Sequence, residues 1–254
     1  MQRIVITGAS AGIGAALARN YADHGATLGL IARRQAPLAE FASGTNTPLA
    51  TYAADVRDSS ALQAAAADFI RRFGAPDIVI ANAGVSVGTL SEYAEDLAAF
   101  EQVIDINVLG IVRTFQPFIA AMRAAGGGKL VGIASVAGYR GLPGAAAYSA
   151  SKAAAIAYLE SLRVELRESG IKVITVCPGY VSSRMTSGNP YPMPFIISAD
   201  DAASKIVSII ERGKQFAVIP WQMAFIARVL RVLPNWLYDR LFTGVPRKPR
   251  AKAD

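Results

Sequence analysis

Cysteine and histidine are nearly missing from this 254-residue chain, which holds one of each, Cys177 and His24. No intrachain disulfide can form, and neither a Cys/His zinc cage nor a Ser-His-Asp triad built on His24 is expected. No metal site is expected either. The cysteine count is compatible with a reducing compartment. Charge is also scarce: 18% of residues are charged, against about a quarter in ordinary domains. With 52% apolar residues, the chain is excluded from the intrinsically disordered class and can bury the core of one α/β-sized domain. No run of about 20 uninterrupted apolar residues exists, so no ordinary membrane-spanning helix is predicted. No charged-then-apolar leader precedes Ile4-Val5-Ile6. The expected location is therefore cytoplasmic, with peripheral attachment to the inner face of a membrane as a further expectation.

The net charge is +7, and it is unevenly placed. From Trp221 onward there are seven basic residues and two acidic ones, so most of the excess is a property of the C-terminus. The nearly neutral body argues against nucleic-acid binding. The tail is suited to something anionic.

Short Val- and Ile-rich runs alternate with Ala-, Leu- and Glu-rich stretches of helical period. The runs predict strands at 3–7, 27–32, 49–53, 78–82, 129–134 and 172–177. Many are apolar throughout, as strands buried on both faces must be. Helices are predicted at 12–24, 59–73, 96–125, 145–168 and 199–212. His24-Gly25 reads as a helix end with glycine in the left-handed position. Such alternation predicts an α/β fold: a single-domain, Rossmann-like, doubly wound parallel sheet with helices on both faces. Residues 1–220 form that domain in this reading, and 221–254 an apolar and basic helical extension.

The first strand enters Thr7-Gly8-Ala9-Ser10-Ala11-Gly12-Ile13-Gly14 and then a helix. Gly8, Gly12 and Gly14 let the backbone turn tightly and approach a pyrophosphate, whose charge the helix N-terminus favours. An ordinary glycine-rich turn is the plainer alternative. At the end of the second strand, where an acidic residue would hold an NAD ribose, stands Ala32-Arg33-Arg34. Arginine there can pair with a 2′-phosphate, so NADP(H) is the expected cofactor, with Arg33 the first choice of contact. For Arg34, a solvated basic pair competes.

Tyr148 and Lys152 stand four apart on a predicted helix and so share a face. The ammonium is expected to favour the phenolate and draw the Tyr148 pKa towards neutrality, fitting it for general acid–base work. Ser135, thirteen residues upstream at a strand end, can bond a substrate carbonyl or alkoxide. An isolated Tyr-x-x-x-Lys is also what a surface helix can hold, and Ser135 could simply cap a turn.

Taken together, these residues resemble the classical short-chain dehydrogenase/reductase family over about residues 3–215. The shared motifs stand in family order: the 7–14 loop, Asp55-Val56, Asn82-Ala83-Gly84, Asn107, Ser135, Tyr148-x-x-x-Lys152 and Pro178-Gly179. The resemblance implies that Ser10 and Ile13 join the glycines around the cofactor and that Asp55 and Val56 flank the adenine. It also implies that Asn82, Ala83 and Gly84 steady the sheet and line the cleft. Asn107 would hold a relay water to Lys152, which would also grip the nicotinamide ribose. Pro178, Gly179 and Val181 would shape the nicotinamide pocket. Ser183 stands where members often carry threonine. Cys177 reads as a buried small apolar residue.

The segment after Gly179 is apolar and proline-rich, with no cation beyond Arg184. As a lid it suits an apolar or acyl substrate; the alternative is a loop packed on the core. On a helical wheel, Ala224, Ala227, Arg228 and Arg231 fall on one side of 221–233, and bulky apolar residues fall on the other. With Trp236 to Phe242 after Pro234, this pattern matches an interfacial helix, giving peripheral membrane contact through 221–242. A helix packed on the domain or on a second subunit is the alternative. The expected function is NADP(H)-dependent interconversion of an apolar, lipid-like carbonyl and its alcohol, in a homodimer or homotetramer. The alternatives are a 3-oxoacyl-thioester reductase, and a catalytically silent NADP(H)-binding sensor or membrane scaffold.

Overall fold

Runs without a polar face become strands that water reaches on neither side. β2 (Thr27–Ala32) is buried at every position, as is β4 (Ile78–Ala81). The structure, a computed structural model, describes residues 1–250. Lys252 and Asp254, counted in the charge of the tail, lie outside the described residues. The other strands are β1 (Arg3–Thr7), β3 (Leu49–Ala53), β5 (Gly128–Ile133), β6 (Ile171–Pro178) and β7 (Phe216–Ile219). Among the described residues they form one seven-stranded sheet in the order β3-β2-β1-β4-β5-β6-β7, parallel throughout.

Parallel neighbours need crossovers, and the helices supply them on both faces. They are α1 (Gly12–Asp23), α2 (Gln35–Ser43), α3 (Ser59–Phe73), α4 (Asp96–Ile104), α5 (Gly110–Ala124), α6 (Ala146–Glu165) and α7 (Ala199–Glu211). One layer packs Leu17, Tyr21, Ile206 and Ile210 against β1, β2 and β6. The other packs Phe69, Phe115, Phe118 and Leu159 against the opposite face. Each such side chain contributes about 2–3 kcal/mol by leaving water. Chain order reverses between β1 and β4, so the loops at their C-terminal ends splay apart and open a crevice there.

Several boundaries differ from the sequence expectation. α2 and β7 were not expected. α2 buries only Leu38 and carries Pro37 in its first turn, so it shows little apolar period. β7 is four residues long. The single helix expected over 96–125 contains a π turn at Asp105–Leu109 between α4 and α5. This composite helix, Asp96–Ala124, is long and apolar enough to cross a membrane by length and composition. Its Val103, Ile106, Phe115, Phe118 and Met122 are nevertheless buried in the core. α1 ends at His24, with Gly25 at φ +72°, as the sequence indicates.

Beyond β7, α8 (Trp221–Val232) and α9 (Asn235–Phe242) pack beside the sheet edge. The wheel reading is corrected here. Met223 and Ala227 are the buried positions of α8, while Trp221, Phe225 and Val232 are exposed at 75%, 68% and 79%. Ala227 was assigned to the polar side, yet a small residue lets the helix sit close to the body. The Arg140 guanidinium donates to the carbonyls of Leu230 and Leu233 at 2.7 and 2.5 Å and lies over the Tyr238 ring. Arg231 donates to the Tyr139 carbonyl.

Candidate active site

The crevice at the switch point is a cleft of about 750 Å³. Gly8, Ser10, Gly12 and Ile13 line it from the β1–α1 loop, with Arg33 and Arg34 from the end of β2 and Asp55 and Val56 from beyond β3. Asn82, Ala83 and Gly84 enter from β4, and Ser135, Tyr148 and Lys152 from β5 and α6. Pro178, Gly179, Val181 and Ser183 close it from β6. Gly14 and Asn107 stand behind this lining.

The phosphate loop is glycine-rich for steric reasons. A Cβ on Gly14 would lie 2.3 Å from the Gly8 carbonyl oxygen, and Gly8 and Gly12 have φ of +70° and +54°. The Asn82 amide donates to the Thr7 carbonyl at 3.0 Å, while the Thr7 hydroxyl accepts from the Asn82 and Ala83 N–H groups. These bonds tie β1 to β4 where the crevice opens. Helix α1 begins here with no side chain capping it and no acid in its first turn. Its free N–H groups therefore face the cleft as an anion-binding terminus.

A dinucleotide fits these residues. The loop offers glycines and a helix N-terminus for a pyrophosphate, and the end of β2 places the Arg33 and Arg34 guanidinium groups at the cleft. Arg34 turns back to Ser10, donating to its hydroxyl and carbonyl at 3.3 and 3.4 Å. Arg33 makes no such bond among the described residues. The Asp55 carboxylate is held by Arg57 at 2.8 Å, which keeps its pKa below the usual carboxylate range. Val56 is buried against Gly110.

The polar groups of the other half of the cleft gather where β5 meets α6. Ser135 ends the strand, accepts from the Ala137 N–H at 3.1 Å and so caps a short 3₁₀ turn, Val136–Gly138. Its hydroxyl also faces Tyr148 and Pro178. Gly138 is needed because the turn rests on α6: a Cβ there would lie 2.7 Å from the Lys152 carbonyl carbon. Lys152 is 4% exposed; its ammonium donates to the Ile133 carbonyl at 2.8 Å and lies 5.8 Å from the Tyr148 ring centre. Asn107 is wholly buried in the π turn. It accepts from the Val85 N–H at 2.8 Å and donates to the Val85 carbonyl and the Ser151 hydroxyl. Its side chain thus braces the 84–86 loop beside Lys152.

The electrostatics differ from the sequence expectation. Burial raises the Tyr148 pKa, and the Ser135 hydroxyl only opposes that shift. Burial also lowers Lys152 to about 8. The apolar walls penalise both charged forms, so the chain by itself holds Tyr148 as a phenol rather than an acidified one. Cys177 is fully buried, with its thiol pushed up to about 12, and is no nucleophile.

Arg184, Met185 and Thr186, from the segment expected to supply substrate contacts, also line the cleft, as does Val85, which sequence reasoning missed. The Thr186 hydroxyl bonds the Val181 carbonyl at 2.8 Å and lies 3.4 Å from that of Ser183, so the hydroxyl expected near position 183 is one of a pair. Residues 247–250 fold back along the rim, with Arg250 pairing with Asp96 and Glu95. The tail expected to meet an external anion meets, in part, the protein's own carboxylates. The signal was weak: nothing in a Pro/basic run names its internal partner. Among the described residues no group of His, Cys, Asp and Glu could hold a metal ion.

Comparison with known proteins gives a consistent picture. The sequence profile described as short chain dehydrogenase matches residues 2–191. An "uncharacterized oxidoreductase" of Myxococcus xanthus is 37% identical over 238 residues, covering 92% of this chain and 94% of that protein. The 11-beta-hydroxysteroid dehydrogenase A of Sesamum indicum is 30% identical, covering 97% of this chain and 77% of that protein. A short chain dehydrogenase from Mycobacterium paratuberculosis, solved bound to NAD, superimposes with a TM-score of 0.77 at 25% identity, covering 85% and 95% of the two chains.

Proposed function

The chain belongs to the short-chain dehydrogenase family of oxidoreductases, and from that premise we propose that it is an NADP(H)-dependent enzyme interconverting an apolar, lipid-like carbonyl and its alcohol. The observation that carries this reading is the convergence of Ser135, Tyr148 and Lys152 in the same cleft as the glycine loop. A catalytically silent cofactor sensor would have no use for that convergence.

When bound, the nicotinamide supplies or accepts hydride at the reacting carbon. Gly8, Gly12 and Gly14 would admit the pyrophosphate to the α1 terminus, with Ser10 and Ile13 beside it. Arg33 would pair with the 2′-phosphate, supported by Arg34. Asp55 and Val56 would bound the adenine, and Pro178, Gly179, Val181 and Ser183 the nicotinamide. In reduction, the Tyr148 hydroxyl donates its proton to the carbonyl oxygen, and the Ser135 hydroxyl stabilises the charge that develops there. Lys152, bonded to the Ile133 carbonyl and 5.8 Å from the Tyr148 ring centre, would hold the nicotinamide ribose beside the phenol. In oxidation Tyr148 takes the proton back. Asn107 acts as a positioning residue beside a relay water.

The apolar segment after Gly179 supports a lipid-like substrate: Met185 lines the cleft, Tyr180 and Tyr191 pack ring to ring at 6.4 Å, and Phe195 and Ile196 stay exposed beyond them. So does the sesame relative, whose name refers to a hydroxysteroid. We treat residues 221–254 as an extension of the 1–220 domain. The outward Trp221, Phe225, Val232 and Trp236 beside Arg228 favour peripheral contact with an anionic membrane. Exposed Leu97, Leu109 and Val164 on the long helices favour a homodimer or homotetramer. An NADPH-oxidation screen over ketones of graded chain length, with and without detergent, tests the whole. Oxidation rising with chain length supports the proposal. NADPH binding with no turnover on any ketone would favour the silent sensor.

A further inference from the structure

Residues 247–250 lie in a seat made for them. The Gly88 N–H donates to the Pro249 carbonyl at 3.0 Å, and a Cβ on Gly88 would stand 2.2 Å from the Lys248 carbonyl oxygen. A Cβ on Gly144 would strike the Arg247 side chain at 2.7 Å. Both places where the strap crosses the body are therefore glycine. Its end is anchored by Arg250, which bonds both oxygens of Asp96 at 3.1 and 2.9 Å and stacks 3.7 Å above Tyr93. Asp96 is 5% exposed, so this is a sheltered pair.

The anchor decides where Lys248 goes. Its ammonium donates to the Ser86 hydroxyl at 2.9 Å and to the Met185 carbonyl at 3.2 Å. Met185 lines the cleft, and Ser86 follows Val85, which also lines it. Lys248 thus spans the two lips of the catalytic cleft on the side of Gly84, where a Cβ would lie 3.7 Å from the Lys152 ammonium. The strap carries three cations, of which Arg247 is exposed beside Gly144. Arg250 takes the nearby carboxylates, whereas Lys248, partly withdrawn from water, has only neutral oxygens as partners among the described residues. Burial lowers its pKa accordingly. A half-desolvated cation bonded to neutral acceptors gains when a carboxylate or phosphate oxygen replaces them.

Resting on the carbonyl-reduction reading above, we propose that Lys248 is a substrate-recognition residue: the substrate is an apolar carbonyl compound whose end remote from the reacting carbon carries an anionic group, received by Lys248 between Ser86 and Met185. The apolar lid holds the chain, and the ammonium fixes its far end and so its register at Tyr148. The strap adds a second cation to a cleft whose lid segment supplies only Arg184.

Calorimetric titration of the NADP⁺-loaded protein with oxo acids of graded chain length, and with their methyl esters, tests this without turnover. The best oxo acid should bind about tenfold more tightly than its ester, the gain of one sheltered charge pair. Lys248→Met should bring acid and ester to within about twofold by weakening the acid alone, and Lys248→Arg should keep most of the preference. Equal binding of acid and ester to the wild-type protein, no binding of either, or equal weakening of both by Lys248→Met, as expected of a purely structural clip, would each overturn the proposal. A Lys248-dependent preference for the acid without NADPH oxidation would uphold the site and refute the carbonyl-reduction reading. Equal turnover of acid and ester would do the reverse.

Discussion

The Lys152 ammonium donates 2.8 Å to the main-chain oxygen of Ile133, the last residue of β5. Two residues on, the same chain delivers Ser135, so one strand end fixes both the cation and the hydroxyl that flank Tyr148. The bond does not neutralise the ammonium, and the apolar surroundings lower its pKa to about 8.

A pH dependence follows, with a definite sign. Lys152 is charged below about pH 8 and loses its proton above it, while Tyr148, shifted upward, stays protonated across the same range. Carbonyl reduction needs both protons in place. Its kcat/KM should therefore be level on the acid side and fall about tenfold per unit above about pH 8. In Lys152→Arg the residual rate should lack that limb, because guanidinium does not titrate there. An unchanged limb in the variant would assign it to another group.

In the proposed reading, cofactor choice rests on Arg33. Removing a charge-assisted contact costs about 1.5–3 kcal/mol, so Arg33→Ala should weaken NADPH about 10- to 100-fold and NADH by less than about twofold. Fluorescence titration with the two cofactors measures this. Equal losses would refute the 2′-phosphate assignment.

Most of the sheet was legible because its strands are apolar on both faces and its turns carry glycine. β7 and α2 were not, being short and weakly patterned. The candidate catalytic residues were legible as a set: Ser135, Tyr148 and Lys152 stand out by their spacing along the chain, and all three line one cleft. The balance of forces on them was not. Their spacing suggests an ammonium acidifying a phenol, but only packing shows that burial raises Tyr148 and lowers Lys152. The strap was illegible for a related reason, since Gly88, Asp96 and Gly144 lie more than a hundred residues from Arg247, Lys248 and Arg250.

Arg140 holds α8 and α9 to the body through Leu230, Leu233 and Asn235. Arg140→Ala would leave sheltered carbonyls unpaired, at about 1–3 kcal/mol each. Limited proteolysis should then cut first within 230–245, while the sheet stays protected. Cleavage no faster than in the wild-type protein would show that these bonds do not hold the segment.

Membrane contact through the outer face of α8 can be separated from its packing. Trp221→Ser with Phe225→Ser removes exposed rings and leaves Met223 and Ala227 in place. Sedimentation with phosphatidylserine-containing vesicles should fall at least about tenfold, with NADPH affinity unchanged. Undiminished sedimentation would contradict interfacial binding by this face.

The central claim is that the Tyr148 hydroxyl carries the proton of the reaction, and single-turnover kinetics of Tyr148→Phe with NADPH test it most directly. The account predicts a loss of about 100- to 10,000-fold in the chemical step, with NADPH affinity within about twofold of wild type. A variant that reduces ketone at the wild-type rate would contradict it.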